Sequence, residues 1–417
     1  MNLFKFFFAS HWRTKGRWLI LALVMVMTVG IWASFSQLAA GSQADQAAVA
    51  KQNKMLLGPP ATKVTLAKVG LDRLAPWLGR NDAKAAVKRE QLLTAAAIKG
   101  DFGTPFNNAG LPVTNQYGAN SLSTVLRVRQ RVAKRLARQH QSLSSMRYGT
   151  KDWPFMISLL PLVTSIFGVM LMTVIVMWPE LMILASRRRN WLTCLPGSKP
   201  RIILIQLSVF MTDLLIFVAT IMLTAFVVSG VGGGRTSMMY PVVVRTGGAI
   251  RLLPAVQVVA LAVGLFILAC MLMYLIIRLM FALIYDLHHK VLKLLASICA
   301  YWLLLGQLTL SLLPQLLPQT VAQWLPGTYM QASRILLGTD YLGAVSTVLW
   351  SLNYYEGSRI MMSLDVQDMS YYNGATLANL LGSGHDLLLR GVLLLGGSIF
   401  AVLALMMGLT KHRNRLA

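Results

Sequence analysis

The sequence predicts an all-α polytopic membrane protein of about six transmembrane helices, with a largely helical extracytoplasmic domain between the first and second. Three observations predict it. The 417 residues are 56% hydrophobic and only 13% charged, with a mean hydropathy of +0.59, more apolar than a soluble domain that must keep a wet surface. The apolar residues gather into runs of roughly 20 with little or no charge, the length that crosses about 30 Å of hydrocarbon at about 1.5 Å per residue. The cations recur in the short stretches between those runs, as they do in loops retained on the cytoplasmic side.

The first run, Trp18 to Ala40, follows Lys5, Arg13, Lys15 and Arg17. Leu38-Ala39-Ala40 offers small residues for signal cleavage, but the apolar stretch exceeds the roughly 7–15 residues of a secretory signal, so it reads as a retained anchor. The remaining runs are Phe155 to Ala185, Ile202 to Val228, Pro254 to Tyr285, Leu292 to Leu313 and Gly391 to Thr410. Two exceed a minimal span, for which tilting or an interfacial extension is expected. The resulting plan is a cytoplasmic tail 1–17, a first span 18–40, a basic outer domain 41–153, four spans within 154–315, an outer cap region 316–390, a last span 391–410 and a cytoplasmic tail 411–417. Arg187, Arg188, Arg189, Lys199 and Arg201, then Lys290 and Lys293, then Lys411, Arg413 and Arg415 all fall on one side in this plan, which places both termini in the cytoplasm of a multi-pass plasma-membrane protein.

A surplus of 39 Lys and Arg over 14 Asp and Glu points to an anionic surface, and the apolar spans favour membrane over nucleic acid. Residues 41–153 carry 18 of the cations against six acids, yet a loop this long crosses largely regardless of charge. Within it, from Ser121 to Met146, the apolar Val125, Val128, Val132 and Leu136 alternate with Arg127, Arg131, Lys134, Arg135 and Arg138 in the pattern of an amphipathic helix. Such a helix suits anionic lipid headgroups or an envelope polymer, or equally a solvated stalk. Nucleic acid fits poorly, because no aromatic platform accompanies the cations.

Ionisable residues inside spans need partners, since a carboxylate at mid-bilayer costs at least about 2.5 kcal/mol. Asp213 lies 11 residues past Ile202, about 16 Å along the helix, which places it near the midplane. It is expected on a translocation path or in a salt bridge with Arg278 of the fourth span; the alternative is a hydrogen bond to a neighbouring Thr or Gln. Glu180 is expected to pair locally with the arginines at 187–189. The three cysteines, Cys194, Cys270 and Cys299, are too few and too scattered for a disulfide framework or zinc site, and adjacent histidines such as His288 and His289 point to different helix faces, so no metal site is expected.

The segment Ser186-Arg-Arg-Arg-Asn-Trp-Leu-Thr-Cys-Leu-Pro-Gly-Ser-Lys-Pro-Arg201 is a short basic insert between two spans, with a Pro-Gly break and with Trp191, Leu192 and Leu195 to offer a partner or the bilayer. It resembles the first cytoplasmic loop after the outer domain in permease subunits of type-2 ABC exporters, where basic residues precede a short apolar helix and then Leu-Pro-x-Ser-Lys/Arg. Leu195-Pro196-Gly197-Ser198-Lys199 stands at that ending, while Asn190-Trp191-Leu192-Thr193 replaces the family's acidic residue and Gly-Thr step. A second similarity lies at Trp324–Gly338, where Pro326, Thr328, Tyr329, Arg334 and Gly338 match a Pro-x-Thr-Tyr segment followed by Arg and an apolar run ending in Gly. That segment is expected to lie at or dip into the outer interface, with Arg334 reaching the headgroups. The stretch from Thr339 to Asp386, longer than the family's, carries Trp350, Tyr354, Tyr355, Tyr371 and Tyr372 and reads as an interfacial or substrate-facing cap, or as a packed lid.

The resemblance implies a permease that binds no cofactor and has no catalytic site of its own. ATP and Mg would be bound by two copies of a separate ABC ATPase subunit, docked on the 186–201 loop, and a second permease copy or a related chain would complete the assembly. The residues agree with that division: nothing reads Gly-x4-Gly-Lys-Ser/Thr, and the glycines at 230–234 end in Gly-Arg-Thr. No Gly-x-Ser-x-Gly elbow or intramembrane metalloprotease set is found either. The competing class is a non-transporting membrane sensor or immunity-type protein that binds a peptide or envelope component outside.

Overall fold

A computed structural model of the chain describes residues 3–13, 15–56, 122–142, 149–185, 199–246, 249–286, 318–337 and 387–416, together with Ser144 and short helical pieces between 84 and 92 and between 294 and 309. Its elements in order are α1 (Leu3–Trp12), α2 (Lys15–Leu56), α3 (Leu122–Arg138), α4 (Asp152–Val163), α5 (Ile166–Ala185), α6 (Lys199–Gly232), β1 (Pro241–Thr246), β2 (Ala249–Pro254), α7 (Ala255–Asp286), α8 (Gln319–Ala322), a 3-10 turn (Pro326–Tyr329), α9 (Ala332–Leu336) and α10 (Leu387–Leu416). Among the described residues five helices are long and apolar enough to cross a membrane, over Lys15–Gln37, Ile166–Ile183, Pro200–Gly232, Ala255–Leu283 and Leu387–Gly408. The chain is a helical polytopic membrane protein by that measure. The expected fifth span, Leu292 to Leu313, lies mostly outside the described residues, as do the loop 186–198, Gly338 and the cap from Thr339 to Asp386.

Helix α7 is the centre of the bundle. More than half of its span is buried, 56% against 11% for α2, and it packs on α4, α5, α9, α10 and the base of the hairpin. A helix apolar on all faces belongs in such a position, enclosed by other helices, whereas α2 presents Trp18, Leu19, Leu23 and Val26 outward as a lipid-facing side would. Within the N-terminal stretch 1–17 the structure holds a packed helix, α1. Phe7 of α1 is buried against Ile202 and Val209 of α6, with Phe4, Phe6, Phe8 and Ile205 around them. Those contacts extend α6 past the reach of a single bilayer: its 33-residue span measures roughly 50 Å against about 30 Å of hydrocarbon.

Two features depart from the all-α expectation of continuous spans. The stretch expected as one helix from Phe155 to Ala185 is two helices, broken at Thr164 and Ser165. Pro161 removes a backbone donor near the end of α4, and Ser165 caps α5, its Oγ accepting the Gly168 N–H at 3.0 Å and donating to Leu162 O at 2.9 Å. A Cβ on Gly168 would stand 2.0 Å from Val163 O, so the turn closes only with glycine there. All of α4 from Pro154 to Pro161 is buried in protein, the setting in which a short, interrupted helix keeps its backbone groups away from lipid. The second departure is the antiparallel hairpin β1-β2, which pairs Pro241 with Pro254 through Thr246 with Ala249. Two β-branched and aliphatic runs flank Gly247-Gly248 in the sequence, a hairpin signature that outweighs the surrounding helical bias.

The hairpin end of the bundle is joined by specific bonds. Asp152 Oδ1 accepts from Trp153 N at 2.8 Å, Thr236 N at 2.7 Å and Thr236 Oγ1 at 2.5 Å, while Trp32 Nε1 donates to Thr150 O at 3.0 Å. The loop after α6 passes so close to this junction that a Cβ on Gly233 would lie 1.9 Å from Thr150 O. Gly233→Ala is therefore expected to lower the thermal unfolding midpoint of the detergent-solubilised protein, by the equivalent of about 1–3 kcal/mol. Gly264→Ala, where no atom lies within 4 Å of the added Cβ, is expected to leave it unchanged in the same fluorescence-detected melting experiment.

Candidate functional site

Two buried ionic clusters lie on the half of the bundle away from the hairpin, and α6 contributes to both. The first is built where α1 gives way to α2. Asp213, fully buried on α6, has Oδ2 2.8 Å from His11 Nδ1 and 2.9 Å from Arg17 Nη2, and its Oδ1 accepts from Trp12 Nε1 at 2.7 Å. Arg17 Nη2 also donates to Val176 O on α5 at 2.9 Å, which links three helices through one guanidinium. The guanidinium lies 5.4 Å from the Trp12 ring and 6.0 Å from that of Phe217, so its faces meet aromatic rings while two of its nitrogens, Nε and Nη1, remain buried without a hydrogen-bond partner.

The second cluster sits about two turns earlier along α6. Arg278 of α7 donates through Nη1 to Glu180 of α5 and to Tyr274 Oη, the latter at 2.7 Å, and through Nη2 to Gln206 of α6. Tyr274 Oη in turn donates to Glu180 Oε2 at 2.9 Å, and its ring stacks on Phe210 with centroids 4.2 Å apart. Every member is buried. Such a network is tolerable in apolar surroundings because each charge meets an opposite charge and its remaining lone pairs are occupied. Between the clusters a water-sized crevice is lined by Phe7, His11, Glu180, Ile183, Gln206 and Val209.

These pairings correct two expectations. Asp213 does not pair with Arg278, nor with a Thr or Gln; it is held by His11, Trp12 and Arg17, residues close in space only because α1 folds along α6. Asp213 stands 13 residues into the Pro200–Gly232 span, close to its middle, and beside Arg17, which is two residues into the first candidate span. Glu180 reaches across to α7 and not along its own chain to the 187–189 arginines, which lie outside the described residues. Sequence reasoning missed the roles of His11, Trp12, Gln206 and Tyr274 altogether; the unusual His-Trp pair at the end of a Phe-rich run was the one available signal.

The remaining sequence-derived residues divide similarly. Of the loop, Arg187, Arg188, Arg189, Trp191, Leu192, Leu195, Pro196 and Ser198 lie outside the described residues, and Lys199 opens α6. The segment with Pro326, Thr328, Tyr329 and Arg334 is packed inside the protein: from Gly327 to Leu337 it is buried against α4, α7, α10 and β1, and Arg334, 7% exposed, is enclosed by protein. Ser333 N donates to Thr164 Oγ1 at 3.2 Å, which places this segment directly on the break between α4 and α5. Burial raises the pKa of the Tyr329 phenol, opposed by nearby Arg390, which itself donates to Gln323 Oε1 at 3.1 Å. In α3, Val128, Val132 and Leu136 are buried while Arg131, Lys134 and Arg138 are exposed and Arg135 is half-buried; Arg127 belongs to the helix, its side chain outside the description.

Comparison with protein-family models, with characterised proteins and with solved structures found no match to this chain. The chemistry therefore rests on the clusters themselves, which hold charge and position helices.

Removing one member of a buried pair leaves the other uncompensated, at a cost of about 3–5 kcal/mol, whereas exchanging both for apolar residues is far milder. Asp213→Leu is expected to unfold the protein at markedly lower temperature in mild detergent, and the Asp213→Leu/Arg17→Met double variant to recover at least half of that loss. A thermal double-mutant cycle measures the coupling; additive losses from the two single changes would show that the pair does not act as a unit.

Proposed function

We propose that this chain is the membrane-spanning permease subunit of an ATP-driven exporter, forming the translocation path and coupling to a separate ATPase subunit through the loop 186–201. The observation that carries the reading is the bracing at the base of that loop. The loop joins α5 to α6, and Glu180 on the one and Gln206 on the other are both held by the single guanidinium of Arg278. A force applied to the loop would then reach both flanking helices and the central helix α7 together, instead of being absorbed by independent motion of one of them. The first cluster extends the same coupling to α2 through Arg17. Supporting this further are the Leu195-Pro196-Gly197-Ser198-Lys199 ending and an arrangement of one span, a long basic segment and then further spans.

On this reading ATP and Mg are handled by two copies of the partner ATPase, with a second copy of this chain or a related permease completing the path. Closure of the ATPase pair would bias two states of the bundle, and the interrupted helix at Thr164 and Ser165, packed on the buried α9, supplies a place where one half of a span can move relative to the other.

The test is co-purification in mild detergent with a co-expressed ABC ATPase subunit drawn from the genes neighbouring that of this chain. Wild type is expected to retain it, and a variant with Arg187, Arg188, Arg189 and Leu195 all changed to Ala is expected to lose most of it while keeping its own elution profile. If the wild-type chain carries no ATPase, or the variant retains it in full, the coupling reading fails and the sensor class takes its place.

A further inference from the structure

The hairpin end of the molecule carries a concentration of positive charge that neither the ionic clusters nor the proposed coupling uses. Between residues 121 and 151 the sequence holds eight Lys and Arg and no Asp or Glu, and between 214 and 285 it holds no acid at all. The structure brings these two stretches together. Helix α3 packs on β1 through Val128, Val132 and Leu136, and the chain after it is tied to the loop before β1, Gln139 Nε2 donating to Met239 O at 3.4 Å and Ser237 N to Gln141 Oε1 at 3.3 Å. Arg131, Lys134 and Arg138 are exposed on α3, Arg235 on the loop and Arg251 on β2. Among the described residues the carboxylate at this junction is Asp152, which accepts from Thr236 and from its own helix start.

The spacing decides what such a surface fits. Arg131, Lys134 and Arg138 recur at three and four residues, one face of the helix, and rise about 10 Å along its axis. Arg251 lies three residues from Pro254, about 10 Å along the strand that leads into α7. A row of cations along one helix face, with further exposed cations on the hairpin and the loop packed beside it, matches a linear chain of charges lying along that helix. No exposed aromatic residue of α3 accompanies the row, which argues against base stacking.

We infer that α3 and the β1-β2 hairpin form a docking surface for a linear anionic polymer with repeating phosphate groups. Its affinity comes from replacing the counterions condensed on the polymer, so it is steeply salt-dependent. The full-length protein, reconstituted in phosphatidylcholine nanodiscs, is titrated into fluorescent poly(glycerol phosphate) and followed by anisotropy at several salt concentrations. Wild type is expected to bind; Arg131→Gln/Lys134→Gln/Arg138→Gln is expected to bind about tenfold or more weakly, with the log-log salt slope reduced by roughly two to three. Arg131→Lys/Arg138→Lys, which keeps the charge on the same packed helix, is expected to bind as wild type does and separates loss of charge from loss of fold. Failure of the wild type to bind the chain, or equal binding by the Gln variant, overturns the inference. So does a result in which the wild type ignores the free chain yet captures phosphatidylglycerol vesicles, because the partner is then the bilayer.

Discussion

An arginine and an aspartate that cannot remain in apolar surroundings apart fix the arrangement of this bundle. Asp213 is fully enclosed, and its counter-charge comes from Arg17, at the start of a different helix, with His11 and Trp12 completing the shell. Because an unpaired charge in the interior costs far more than any single apolar contact returns, α1, α2 and α6 have one relative position in which the Asp213 carboxylate meets His11, Trp12 and Arg17 together. The Phe-rich face of α1 and the close passage of Trp32 by Gly232 then fill in along the rest of α6. Apolar packing supplies the bulk of the contact; the ion pair selects the register.

The same logic explains why the bundle tolerates interruptions. The break at Thr164 and Ser165 frees backbone groups that lipid could not satisfy, and the structure meets them from within: Thr164 Oγ1 donates back to Leu160 O and accepts from Ser333 N, while Ser165 closes the first turn of α5. The short α9 is thus not an ornament at the surface but the wall against which the break is sealed. Its burial also accounts for Arg334 being enclosed, since the whole stretch from Gly327 to Leu337 lies inside.

Much of this was legible from residue order alone. Length and hydropathy located the first, third, fourth and last spans within a few residues, because roughly 20 uncharged apolar residues have one low-energy solution in a bilayer. The amphipathic stripe of α3 was equally clear from the spacing of Val128, Val132 and Leu136. The hairpin could have been read from Gly247-Gly248 between two aliphatic runs, and the break from Pro161 followed by Thr164-Ser165, but both signals sit beside strongly helical apolar sequence that obscures them. The pairing of the charges was not legible. Asp213 and Arg278 are both intramembrane and opposite in sign, yet which of Arg17, Arg278 or the 187–189 group meets which acid depends on helix rotation and on the path of α1, and neither leaves a periodicity in the sequence. The candidate site was therefore visible as a list of charged residues and invisible as a geometry.

The distance in sequence between Arg17 and Asp213 has a consequence for biogenesis. The arginine leaves the ribosome roughly 200 residues before the aspartate that neutralises it, an interval of about 10–40 s at ordinary rates of synthesis. Throughout that time the first span carries an unmatched cation at its edge, where the headgroup region can hold it, and it can sink to its final depth only when α6 arrives beside it. Helix α1 is made well before α6 and settles only after it.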